Sequence, residues 1–236
     1  MKLKKIASLM LAGVMAVSML AGCSDNGNTP DNNEDDNQIV TTGNAATYAT
    51  DALSEDLKEY ITVSSSSTLD GWVKDIATDT SLLGSNGIEY IYGNVFTGAD
   101  NNKVAPERNA MRTALQKKVV DSNVVYVDDL ASDFNTKPTN NQNVRTGSTL
   151  YVLSGALDEA AAVQAVVAQM SDTNICDLPK AIDISTNNVP VYSHNCEYDV
   201  EVSAVKVTND SLSGESAWVI GVVITQTATE VANVQV

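Results

Sequence analysis

Glu197-Tyr198-Asp199-Val200-Glu201-Val202-Ser203-Ala204 is the stretch whose reading decides the fold. Tyr198, Val200, Val202 and Ala204 alternate with Glu197, Asp199, Glu201 and Ser203. A period of two places the apolar set on one face of a half-buried strand. Past Ala204 the apolar phase moves to Val205 and Val207, which predicts a β-bulge. Asn209 to Ser216 reads as a turn. Trp218, Ile220, Val222 and Ile224 then return with the same alternation, and the tail from Thr225 fades into polar alternation. The chain therefore ends in an antiparallel hairpin.

Working back from the hairpin, residues 172–196 read as irregular, with short extended pieces at Ala181–Ile184 and Val189–Tyr192. A helix is expected over 156–171, with Ala156, Ala160, Val163, Val167 and Met170 on one stripe. Ser154-Gly155 joins it to a strand, Thr149 to Leu153, whose apolar residues on both faces predict a central position. Residues 132–147 are rich in Asn, Thr and Gly and read as a mobile loop. Asn123 to Val127 reads as a strand ended by Asp128-Asp129, solvated turn residues. A helix opens at Pro106, where a missing N–H costs nothing. Its apolar face is Ala110, Met111, Ala114, Leu115 and Val119. Ile88 to Phe96 reads as a strand with an irregularity at Gly93, preceded by a turn at Gly84-Ser85-Asn86-Gly87. Ser67, three before Asp70, resembles a capping box for a helix with Leu69, Trp72, Val73, Ile76 and Ala77 at helical spacing. A shorter helix is expected over 51–61, with Leu53, Leu57, Tyr60 and Ile61 together. The fold class is α/β (α+β): one domain over 51–236, with a central mixed sheet of four to six strands flanked by helices.

Upstream, Lys2, Lys4 and Lys5 precede an apolar run from Ile6 to Leu20, and Leu20-Ala21-Gly22-Cys23 closes it. This is the layout of a secretory signal peptide over 1–22. The run is about 15 residues, short of the roughly 20 that span a bilayer. Leu-Ala-Gly-Cys resembles the bacterial lipobox, which implies lipidation of Cys23 by palmitate-class acyl chains. Residues 23–50 then read as the acylated cysteine and a disordered acidic tether. Such a tether reaches at most about 90 Å. The localisation expected is the cell membrane or outer membrane, lipid-anchored and exposed outside the cytoplasm. Ser24 permits outer-membrane sorting.

The 236 residues carry 14 basic and 30 acidic side chains. Without the three lysines of the signal, 11 basic face 30 acidic, a net charge of −19. Nucleic acid and anionic headgroups repel so acidic a chain. The expected partners are therefore the membrane, through the N-terminal lipid, and an envelope protein, with no nucleic acid. With Cys23 acylated, Cys176 and Cys196 remain, in a compartment that permits disulfides. An even remainder favours a Cys176–Cys196 bridge closing about 20 residues, for roughly 3 kcal/mol. The other reading is two buried free thiols. His194, the only histidine, stands two residues from Cys196, but one histidine is a thin basis for a metal site. No metal site, cofactor site or catalytic set is assigned. Arg145-Thr146-Gly147 only faintly resembles the Lys-Thr-Gly of penicillin-recognising enzymes, and no Gly-x-Ser-x-Gly elbow supplies a serine.

Several details resemble the penicillin-binding-protein activator (LpoB) family, related in fold to the N-terminal domain of TolB and to CsgG-type lipoproteins. They are Gly93-Asn94-Val95-Phe96-Thr97, Arg112-Thr113-Ala114-Leu115, Val125-Tyr126-Val127-Asp128, Leu150 to Gly155, and Val205-Lys206-Val207-Thr208 through Gly214 to Trp218. The match covers about 68–226 as a pattern of types and order. Residues 156–197 depart from it, with an alanine-rich helix and a cysteine-bearing loop where the family has a shorter link. The resemblance implies a lipoprotein that stimulates a peptidoglycan synthase by contact, without catalysis. Two further readings stay open: a carboxylate-dependent glycan hydrolase of the envelope, and a solute-capture lipoprotein of a transporter.

Overall fold

The computed structural model describes residues 37–41, 43–79, 82, 105–122, 125–130, 132–136, 138, 143–172, 178–186, 189–209 and 215–231. Cys23, Cys176, the expected strand at 88–96 and the turn at 84–87 lie outside them. In chain order the elements are β1 (Asn37–Thr41), α1 (Ala45–Ala52), α2 (Glu55–Lys58), β2 (Ile61–Ser64), α3 (Ser67–Thr78) and α4 (Ala105–Val120). A 3-10 turn at Asp133–Asn135 follows, then β3 (Val144–Ser154), α5 (Glu159–Asp172), β4 (Ala181–Thr186), β5 (Val189–Asn209) and β6 (Glu215–Val231). The sequence places both helices and strands correctly at the level of class: an α/β fold around a mixed sheet.

β5 is the spine of that sheet. Along one edge it pairs in succession with β4 (antiparallel), β2 (parallel, Ile61 opposite Tyr198) and β1 (antiparallel, Asn37 opposite Asn209). Along the other edge it pairs with β6 from Ser193–Val231 to Asn209–Glu215, and β3 lies beyond β6. Both long strands outrun the expectation. The extended piece at 189–192 runs straight into the hairpin, and the tail past Thr225 stays in the ladder to Val231. The expected bulge at Ala204 is absent: the register passes through Ala204–Ile220 and Val205–Val219 without a shift. The apolar phase changes because helices cover both faces here. Val200, Val202 and Ala204 belong to one core, whereas Val205 and Val207 belong to the other.

On one face, α3 and α4 cover Val205, Val207, Val219, Leu150 and Val152. Leu69, Val73, Ile76 and Ala77 of α3 and Met111, Leu115 and Val119 of α4 are all buried there. The α3 cap is Ser66, not Ser67; its hydroxyl accepts from the Leu69 N–H at 3.3 Å. Gly221 lets α3 approach the sheet, since a Cβ there would collide with Val73 Cγ2.

The opposite face is covered by α1 and α5, which meet Val200, Val202, Ile220, Val222 and Ile224. α5 begins at Glu159, three residues later than expected, and turns Ala162, Val163 and Val166 inward. The expected helix over 51–61 is two short helices and a strand. Leu53 ends α1, and Ile61 enters β2 beside β5. The fold also begins earlier than residue 51. β1 and α1 draw 37–41 and 43–50 out of the tether expected over 23–50, because β5 offers an edge to Asn37–Thr41 and the core takes Ala45 and Ala49.

Two more elements differ from the sequence reading. Of the expected strand at 123–127, the described residues 125–127 make one parallel bridge, Tyr126 with Thr146. The expected loop over 132–147 is partly built into the core. Phe134 is fully buried, and β3 begins at Val144. Thr149 to Leu153 is not central, because β3 lies outside β6. It is apolar on both sides because both sheet faces are covered.

Candidate functional site

Of the polar residues singled out in the sequence, Arg145 is structural, Asp128 and Asp129 face solvent, and His194 is buried in β5 with no hydrogen-bond partner at Nδ1 among the described residues. Arg145 sits opposite Gln226, which sits opposite Tyr198, a row across β3, β6 and β5. All three are buried. The Arg145 guanidinium donates to Asp133 O at 2.7 Å, Thr136 O at 3.0 Å, Thr136 Oγ1 at 3.2 Å and the side-chain oxygen of Gln226. Gln226 in turn donates to Tyr198 Oη at 2.8 Å and Phe134 O at 2.9 Å. Burial lowers the Arg145 pKa from its ordinary value. Carbonyl dipoles are the acceptors of its charge, and the network pins residues 133–136 onto the sheet. Asp128 and Asp129 are exposed turn residues. Asp128 accepts from Gln116 Nε2 at 2.6 Å, and Asp129 caps its own turn through Ser132 N–H.

Cys196 is a buried free thiol. Its Sγ donates weakly to His194 O at 3.9 Å. Burial pushes its pKa up, against the smaller opposing effects of Tyr198 and Arg145. An activated nucleophile needs the reverse shift. Its expected partner, Cys176, lies outside the described residues. Among those residues no three His, Cys, Asp or Glu side chains gather as a metal site, and no helix is long and apolar enough to cross a membrane.

A concave feature lies on the α1/α5 face. It is a cavity of about 320 Å3 between α1, α2, β2, α5 and the sheet. Its floor is buried: Ala49 from α1, Val163 and Val166 from α5, Val200 and Val202 from β5, and Val222 from β6. Its mouth is half-buried: Leu57, Tyr60, Val63, Val167, Met170 and Leu178. None of the described residues lining it is a carboxylate. Protein interiors close to crystal density and leave few voids larger than a water. A space this large with apolar walls is the geometry of a site for an apolar group.

Local chain geometry explains the opening. α1 ends at Leu53 and α2 is a single turn, so the chain crosses the sheet edge without laying a long helix against α5. The apolar spacing of Leu53, Leu57 and Tyr60 was visible in the sequence, but it reads there as one continuous helix that would cover the sheet. Nothing in the sequence distinguishes the floor valines from ordinary core.

Outside the mouth, Lys180 pairs with Glu59 at 2.5 Å and Lys58 with Glu55 at 2.8 Å, all near the surface. The Lys180 ammonium lowers the Glu59 pKa, and Glu59 raises that of Lys180. These charged residues thus neighbour Leu57, Tyr60 and Leu178 in the chain, while the described lining side chains are apolar apart from the Tyr60 hydroxyl. No family model, curated protein or solved structure matches the chain; the site is read on its own geometry.

Proposed function

We propose that this chain is a lipid-anchored lipoprotein of the cell envelope, exposed outside the cytoplasm, whose domain works as a non-enzymatic binding module. The observation that carries the reading is the cavity under α1, α2 and α5. Its walls can reward burial of an apolar group and offer no acid–base pair for glycan chemistry. The lipobox pattern at Leu20-Ala21-Gly22-Cys23 supplies the anchor. The partner is an envelope protein, and the element order quoted above points to the peptidoglycan synthesis machinery. Metabolic labelling with a palmitate analogue should mark the full chain and leave Cys23→Ala unlabelled. Pull-down of the acylated protein from membranes should then recover a synthase. Recovery of a transporter alone, or of free glycan alone, sinks the synthase assignment.

A second reading is favoured by the same cavity. A solute-capture lipoprotein would present such a pocket to a small apolar solute. Co-purification with a transporter would select it.

A further inference from the structure

The shape of the cavity says more than that it is apolar. Val163, Val166, Val167 and Met170 line it from one helix, α5. From Val163 to Met170 they run about 10 Å along the helix axis, at 1.5 Å per residue. The inner part of the cavity is lined by buried valines, and its mouth by half-buried Met170, Leu57 and Leu178. The volume of about 320 Å3 is roughly twice the ~150 Å3 of a dry cavity that takes benzene. Methionine at the mouth adapts its shape to what passes it. Tyr60 is the single aromatic among the lining residues described, and the floor carries only hydrocarbon side chains.

We propose that this cavity takes one aliphatic acyl chain, with its head group left in water beside the Glu59–Lys180 pair. This rests on the binding-module reading and names the ligand class for it. The floor selects against polar groups because nothing there would hydrogen-bond them. The lining residues of α5 are spread over about 10 Å of the helix axis, which suits a run of methylenes laid along it. The acyl chain can come from a free fatty acid, a membrane lipid or the lipid on Cys23, and the chemistry of the pocket is common to all three.

The test uses the full chain carrying Cys23→Ala, which cannot be acylated. Titration with cis-parinaric acid should show saturable binding, one per chain. Saturated fatty acids should displace it about fourfold better for each added methylene, until the cavity is full and the gain stops. Naphthalene should displace it poorly. Val166→Trp fills the floor and should weaken binding at least tenfold. Val167→Asp puts a charge across the half-buried mouth and should do the same in a chain with unchanged circular dichroism. Val120→Ser, exposed on the opposite face, should change nothing. Vesicles of parinaroyl-phosphatidylcholine ask whether a bilayer lipid is accepted. Reduced binding in the acylated wild type would mark the Cys23 lipid as occupant.

Absence of a chain-length series, or equal binding by both cavity variants, overturns the acyl-chain assignment. Partner capture is scored separately. A chain that binds no acyl probe but still recovers its envelope partner keeps the binding-module reading and loses this one. A chain that binds acyl probes but recovers no partner does the reverse for the synthase assignment.

Discussion

The two faces of the sheet are built from similar residues and packed to different ends. Under α3 and α4, helix and sheet meet so closely that Gly221 has no room for a Cβ beside Val73. Under α1, α2 and α5, valines of the same strands border about 320 Å3 of space. The difference lies in how many long helices each face carries: the open face has one, α5 with 14 residues, and the close-packed face has two. α3 has 12 residues and α4 has 16, and each lays at least three buried side chains on the sheet. α1 has eight, α2 has four, and α2 buries none. One face therefore maximises contact and the other keeps a vacancy, and close packing makes such a vacancy costly unless it is used.

Matched substitutions sharpen that contrast. Leu115, fully buried under α4, should cost about 4 kcal/mol on Leu115→Ala, within the range for core leucines that cannot collapse. Leu57→Ala, at the half-buried mouth, should cost about 1 kcal/mol or less, because the space beside it already exists. Urea denaturation of both reads the difference directly; equal losses would remove the distinction between the faces. Arg145→Met tests the polar end of the open face. It strands the carbonyls of Asp133 and Thr136 and one oxygen of Gln226, for about 3 kcal/mol. It should also release residues 133–136, visible as faster hydrogen exchange around Phe134. The reverse experiment enlarges side chains. Gly221→Val should destabilise by about 3 kcal/mol through overpacking, whereas Val166→Phe should fall within about 1 kcal/mol of the wild type.

The hairpin was legible because alternation with charged residues at every second position survives where one face of the sheet is polar, as from Glu197 to Glu201. It misled at Ala204–Val205, where both faces are covered and consecutive apolar residues need no bulge. The sequence underestimated 37–50 and 132–147 for one reason: both are polar stretches recruited by backbone or single side chains. β1 joins through ladder hydrogen bonds to β5, and 133–136 through Arg145 and Phe134. Composition cannot register a segment held by so few groups. The cavity was illegible for the opposite reason. Val200, Val202 and Val222 look like any core valines, and only the break at Leu53 leaves space beside them. On the lipid-anchored reading proposed above, the earlier start of the fold shortens the tether: residues 24–36 span at most about 45 Å, half the length read from composition, and a partner would have to approach the membrane more closely.

The smallest effect concerns the thiol at the edge of the open face. Cys196 is buried and free, with its pKa raised by burial. In the unfolded chain a thiol ionises at its ordinary value near 8.5. The unfolded state therefore binds fewer protons than the folded state as the pH climbs past that value, and stability falls. The contribution is complete below the ordinary thiol pKa and disappears as the pH rises through the raised one. Denaturant midpoints for the wild type should decline from pH 8 to 10, and Cys196→Ala should flatten that part of the decline. The same residue decides the bridge expected with Cys176. In the Cys23→Ala chain, a thiol reagent should label Cys196, identified by peptide mapping, slowly while the protein is folded and quickly once urea exposes it, without reductant. If the unfolded, unreduced chain shows no reactive thiol, Cys176 and Cys196 are joined. The alkaline decline assigned to Cys196 must then come from another buried acid, with Tyr126 the first to substitute, since burial raises its pKa too.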